Sequence, residues 1–230
     1  MIPIQITIDG PAGAGKSTIA KMIAERLGFI HIDTGAIYRV ITYIAMQQHV
    51  CLANEDALVE LSASTKIDME QQADGEQKVY CNKVDVSKEI RDPIISKNVS
   101  KVAILPKVRH ELVRMQRELA QDNNVVMDGR DAGTVILPNA ECKIFLTALL
   151  EERANRRFLE LKKRGYNDNL DFVKKDLARR DYIDENRKTS PLKPAQDAVI
   201  VDTTCLNPEE VVQDILRIYQ KKKEALNNVL

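Results

Sequence analysis

Gly10-Pro11-Ala12-Gly13-Ala14-Gly15-Lys16-Ser17 lies between an apolar run, Ile2 to Ile8, and a helical pattern, Ser17 to Leu27. The pattern places Ile19, Ala20, Ile23, Ala24 and Leu27 on one face. Strand, glycine-rich loop and helix in that order are the context in which G-x-x-x-x-G-K-[ST] holds the phosphates of a nucleoside triphosphate. The glycines let backbone N–H groups turn inward, and the helix directs its positive end at the same place. Lys16 is then expected to reach the β- and γ-phosphates, Ser17 to ligate Mg²⁺ and Thr18 to complete the ATP-binding set. A glycine-rich turn that matched by chance would lack the flanking strand and helix and the Lys-Ser register. The loop alone leaves motor, GTPase, AAA-type ATPase and small-molecule kinase open. There is no run of four apolar residues ending in Asp-Glu to position water.

Outward from the loop, strand and helix patterns alternate. Phe29 to Ile32 reads as a strand and 34–48 as a helix; Val125 to Met127, Lys143 to Leu146 and Ala198 to Val201 are further short apolar runs. Such runs suit a parallel sheet buried on both faces. Helical patterns at 107–120, 150–164, 169–187 and 208–222 lie among them, which predicts a doubly wound α/β fold. The middle differs: Lys66 to Glu70 and Gln77 to Cys81 alternate polar with apolar around Ala73-Asp74-Gly75-Glu76. The Asp-Gly step suits a hairpin turn, so an antiparallel insert between about 63 and 90 is expected.

Bulk properties narrow the partners. Lys plus Arg and Asp plus Glu number 34 each, so no net basic field points to nucleic acid, and basic chemistry must be local. The cysteines at 51, 81, 142 and 205 form no C-x-x-C pair, which suits a reduced cytoplasmic compartment. No apolar run approaches a membrane span, and the expectation is a soluble monomer.

Arginines and acids cluster outside the loop. Asp128-Gly129-Arg130-Asp131 follows the strand at 125–127, at the carboxyl end where open α/β sheets bind ligands. At about 100° per residue, Arg180, Asp184 and Arg187 fall within roughly 60° on one helix face. A surface ion-pair ladder has the same spacing. Asp33-Thr34-Gly35-Ala36-Ile37-Tyr38-Arg39 sits at a strand-to-helix junction, where an ordinary capping turn is the plainer reading.

Taken together, Ile6 to Pro11, Asp33 to Arg39, Asp128 to Val135 and Asn186-Arg187-x-x-x-Pro191-Leu192 resemble the signatures of bacterial cytidylate kinases, over nearly the whole chain. The resemblance implies a P-loop nucleoside monophosphate kinase fold: a five-stranded parallel sheet with helices on both faces and a small antiparallel β insert. It implies one kinase domain across 1–230: a core of 1–60, 105–150 and 190–230, an acceptor region at about 61–104, and lid and ribose-binding helices at about 151–189. It implies phosphoryl transfer from ATP with Mg²⁺ to CMP, and to dCMP. By position, Arg39, Arg130 and Arg187 surround the CMP phosphate with Thr34 and Tyr38 beside it. Ser100, Arg109 and Asp131 read cytosine, and Arg180 and Asp184 hold the sugar. Lys16, Arg130, Arg187 and Asp128 form the catalytic set, Asp128 either orienting a magnesium-bound water or pairing with Arg130.

One position departs from the family pattern: Ile183 stands where an arginine is common. The lid arginines over ATP are then Arg153 and Arg157, with Arg164 on the same helix face. Cytosine offers an N4 donor beside an N3 acceptor, which suits a carboxylate with a hydroxyl and an arginine, whereas uracil reverses both. Rival readings are a kinase of UMP, AMP or shikimate, and a nucleotide-binding module whose 180–187 face serves a partner.

Overall fold

The computed structural model describes residues 3–72 and 77–227. The strand expected from Ile2 is described from Gln5, and the Asp-Gly turn at 73–76 lies outside the described residues.

Five strands form one parallel sheet: β1 (Gln5–Asp9), β2 (Ile30–Asp33), β6 (Val125–Gly129), β7 (Cys142–Thr147) and β8 (Val199–Asp202), in the order β2-β6-β1-β7-β8. Successive side chains on a strand face opposite sides, so each side needs its own cover. Val125 and Met127 join a core with Ile37, Ile41, Leu58 and Leu112, whereas Val126 joins Ile6, Ile8, Ile23 and Val212. The continuous apolar runs read as buried strands are explained by this two-sided covering. The covering helices are α1 (Lys16–Leu27), α2 (Thr34–Gln47), α5 (Pro106–Ala120) and α8 (Pro208–Asn227). No helix among the described residues is long and apolar enough to cross a membrane.

The insert has three strands: β3 (Ile67–Gln71) and β4 (Gln77–Cys81) pair antiparallel, and β5 (Val84–Asp85) adds to β4. Gln77 Nε2 donates to the His31 carbonyl at 2.7 Å, tying the insert to β2. Two helices beside it, α3 (Glu55–Ser64) and α4 (Pro93–Ala103), are absent from the sequence-based expectation. Each has a local start signal: Asn54 accepts from Ala57 N at 3.2 Å, and Asp92, ahead of Pro93, accepts from Ile94 N at 2.8 Å. They are short, with only two and three buried positions respectively, too few to make a clear helical period.

α6 (Leu150–Lys163) and α7 (Leu170–Asn186) pack on each other through Ala154, Leu161, Val173 and Leu177. Ala12 of the phosphate loop belongs to the same small core, so this helix pair is rooted on the loop.

Candidate active site

The carboxyl ends of β2, β6 and β1 are adjacent, with Asp33 opposite Asp128 and Asp9 opposite Gly129. The loops leaving them line one open cleft of about 520 Å³. Its donor end is the phosphate loop. Gly10 has φ +148°, and a Cβ there would lie 2.0 Å from the Leu146 carbonyl oxygen, so only glycine lets the loop leave β1 between its neighbours. Gly15 caps α1 at φ +87°, directing the helix N-terminus into the cleft. Gly13, Gly15, Lys16, Ser17 and Thr18 reach the cleft as Ala12 does, whereas Gly10, Pro11 and Ala14 shape the loop from behind.

Lys16 is buried, and its Nζ donates to the Pro11 carbonyl at 2.7 Å. Burial, reinforced by the nearby Arg130 guanidinium, lowers it from 10.5 to about 7. A triphosphate brought to this ammonium would reverse that pull.

At the other end the expected acceptor residues converge. Thr34, Tyr38, Arg39, Ser100, Arg109, Arg130, Asp131, Arg180, Asp184 and Arg187 all line the cleft. Most of the cations rest on acids. Arg39 Nη2 lies 2.7 Å from Asp33 Oδ2, and Asp33 also caps α2 by accepting from Ala36 N at 2.9 Å. Arg130 Nε donates to Asp184 Oδ2 at 2.8 Å. Arg187 Nη2 lies 3.4 Å from Asp131 Oδ1, and its Nε donates to the Ser190 carbonyl at 2.6 Å. Arg109 donates to Asp131 Oδ2, donates to the Ala103 carbonyl at 3.1 Å, and lies over the Tyr38 ring with its Cζ 5.5 Å from the centroid. Burial alone would raise Asp184, but Arg130 and Arg187 hold it below the usual carboxylate range. Burial pushes the Tyr38 phenol up to about 12, and its buried hydroxyl has no hydrogen-bond partner among the described residues.

Arg180 differs from the rest. Half-buried, it makes no hydrogen bond or ion pair among the described residues, and burial together with Arg130 lowers it to about 10. A cation so placed suits an incoming anion as well as a sugar hydroxyl.

Two expectations are revised by geometry. Asp128 does not pair with Arg130: its Oδ1 lies 2.7 Å from His31 Nε2, while Arg130 goes to Asp184. Burial, with Asp33 close by, raises the Asp128 carboxyl. Arg153 does not line the cleft with Arg157 and Arg164. It is buried under the loop, its donors spent on the Ala12 carbonyl at 2.9 Å, the Ala148 carbonyl at 2.9 Å and Asp181. Arg157 and Arg164 both reach the cleft and share Glu160, at 2.7 and 2.8 Å. Ile183 does not line the cleft either, so the position where an arginine is common faces elsewhere in this chain.

Other residues of the cleft were not singled out by sequence. Lys21 lies one helical turn after Ser17, and Arg91 and Ser96 enter from the approach to α4 and from its face. The spacing of Ser96, Val99, Ser100 and Ala103 at i, i+3, i+4 and i+7 carried the signal, once a helix there was known. Asp9 is buried; desolvation lifts it to about 6 although the N–H groups of Gly133 and Ala132 pull it down.

The cytidylate kinase family model matches residues 6–221. A cytidylate kinase of Geobacillus sp. (strain WCH70) is 52% identical over 219 residues, covering 95% of this chain and 97% of the relative. One from Lactobacillus gasseri is 50% identical over 221 residues, covering 96% of each. Among solved structures, an uncharacterized protein from Eubacterium ventriosum aligns over 94% of this chain and 98% of its own, at a TM-score of 0.53 and 11% identity, a likeness of fold alone.

Proposed function

The chain belongs to the cytidylate kinase family, and from that premise we propose how its cleft divides between two substrates. The enzyme transfers a phosphoryl group from ATP to CMP. The observation that carries the division is the cleft itself, with the phosphate loop at one end and Ser100, Arg109 and Asp131 at the other. ATP occupies the loop from Gly10 to Thr18, with Arg157 and Arg164 approaching from α6. The three-stranded insert with α3 and α4 forms the acceptor region, and α6 with α7 forms the lid. CMP places its phosphate among Arg39, Arg130 and Arg187, its sugar against Asp184 and Arg180, and its base against Ser100, Arg109 and Asp131. dCMP retains every group except one hydroxyl at Asp184 and is a second acceptor.

A phosphate oxygen of CMP is already anionic at neutral pH, so attack needs no strong general base. What the protein must supply is alignment and charge. Arg39, Arg130 and Arg187 each rest on an acid of the same cleft, so an entering phosphate exchanges one anion for another instead of ordering a loose side chain. Lys16 and Arg130, neighbours in the cleft, repel until a phosphoryl group between them relieves both. The lid excludes water, which would otherwise accept the phosphoryl group.

Mg²⁺ fits the residues present. Ser17 offers an exposed hydroxyl at the head of α1, and Asp128 has one oxygen taken by His31 and one left over. Few oxygen donors suit a hard cation that arrives on phosphates and keeps several waters. Ser17 would hold it, and bound there it would neutralise charge across the β- and γ-phosphates. The enzyme acts as a cytoplasmic monomer, which sedimentation at micromolar concentration tests. Steady-state turnover with CMP, dCMP, UMP, AMP and shikimate at fixed ATP tests the acceptor. CMP and dCMP should lead by kcat/KM, and equal rates for UMP or any rate for shikimate alone would overturn the reading.

A further inference from the structure

Asp9 ends β1 one residue before the phosphate loop, a position that groups it with the donor side. Its carboxylate turns the other way. Oδ1 accepts from Ala132 N at 2.8 Å and Oδ2 from Gly133 N at 2.7 Å, the first two amides of the π-helical turn Ala132–Ile136. Asp9 is 4% exposed, so both bonds are made out of contact with water. Gly133 presses so near β1 that a Cβ there would meet Thr7 Oγ1 at 2.7 Å.

Asp131 stands at the N-cap of that turn, the position from which an aspartate normally accepts the turn's own amides. It makes no such bond. Its two oxygens go instead to Arg109 and Arg187 in the cleft. The capping that Asp131 could perform is done by Asp9 from the neighbouring strand.

We propose that Asp9 is a positioning residue for base recognition: by capping the turn at 132–136 in place of Asp131, it leaves the Asp131 carboxylate free for the acceptor's base. The inference rests on the reading of Asp131 as a base contact. Without Asp9, two buried amides lose their acceptor, and the nearest replacement is Asp131, which sits at the cap position already. A carboxylate drawn onto its own turn is lost to the acceptor. The effect then falls on CMP, although the altered residue adjoins the ATP loop.

The test is steady-state kinetics of Asp9→Asn and Asp9→Ala with ATP, CMP and UMP, beside the double variant Asp9→Ala/Asp131→Asn. In Asp9→Ala the KM for CMP should rise about tenfold or more, because stranded buried amides weigh heavily enough to move Asp131. Asp9→Asn, which keeps one accepting oxygen and nearly the same shape, should show a smaller rise. Preference for CMP over UMP should fall in both, with the KM for ATP within about threefold of wild type. In the double variant the two effects on CMP should fall well short of adding, since each removes the same contact. A parallel rise in the KM for ATP, an unchanged CMP/UMP ratio or full additivity would overturn the proposal; if Asp9→Ala does not fold, Asp9→Asn alone decides by the same ratios. A wild type without preference for CMP would instead overturn the reading of Asp131, a pattern distinct from a selective wild type whose ratio survives both variants.

Discussion

Replacing Lys16 by methionine should make this enzyme more stable while removing its activity. Burial and Arg130 lower the lysine from 10.5 to about 7. Below pH 7 both folded and unfolded chains hold the proton, and the folded state carries the whole penalty of a buried ammonium. The penalty fades as pH rises from 7 to 10.5, where the unfolded chain keeps a proton that the folded one has released. At 1.36 kcal/mol for each tenfold in proton affinity, the penalty at pH 7 is about 4 kcal/mol. Methionine has similar length and no charge, but it strands the Pro11 carbonyl that Nζ now occupies, a loss of about 2 kcal/mol. The net gain is about 2 kcal/mol, which for a chain of this size raises Tm by about 4–8 °C. At pH 9.5 the penalty has shrunk to about 1 kcal/mol, and variant and wild type should melt within about 1 kcal/mol of each other. Thermal and urea unfolding of the nucleotide-free proteins at both pH values is the assay. A variant melting at or below wild type at pH 7, or a difference that persists at pH 9.5, would refute the reasoning. Turnover should fall about 10²-fold or more, since a donor aimed at transition-state charge is lost.

Arg130→Ala should lower kcat by a similar factor of about 10² while leaving the KM for ATP nearly unchanged, because its hydrogen bonds go to Asp184 and the Gly129 carbonyl and not to the loop; unchanged turnover would remove it from the catalytic set. Asp131→Asn should reduce discrimination between CMP and UMP by about 1–3 kcal/mol, a factor of about 5–150, with phosphate binding less affected; comparison of kcat/KM for the two acceptors checks it. ATP binding near pH 7.5 should be accompanied by proton uptake, because the triphosphate raises a lysine that burial and Arg130 hold at about 7. Its affinity should therefore weaken as pH rises above 7, and calorimetry in buffers of different ionisation enthalpy would detect the proton, whose absence would contradict the lowered lysine.

Much of this protein was legible before any coordinates. The five strands of the sheet and the helices α1, α2 and α5 to α8 match the periodic segments within a few residues, because long apolar periods report burial directly. α3 and α4 were not legible, since each buries too little of itself to repeat a period, although Asn54 and Asp92-Pro93 marked where they start. With α4 unseen, Arg91 and Ser96 could not be connected with Ser100. Arg153, Arg157 and Arg164 looked alike in sequence because helical spacing gives an angle and not a neighbour. In the fold, Arg153 meets the Ala12 carbonyl and Asp181 and is spent there.

The sequence by itself determined the sheet and the phosphate loop, since these follow from local spacing and from what glycine, lysine and serine can do at a strand-to-helix turn, while the family resemblance named many but not all of the residues that line the cleft. The tertiary structure decided the pairings inside the cleft: Asp128 to His31, Arg130 to Asp184, Arg109 to Asp131, and Asp9 to the turn beyond Asp131. Those partners lie between 22 and 123 residues apart along the chain. A buried charge takes whichever partner the packed elements bring within reach, and no local pattern records a distance across the fold.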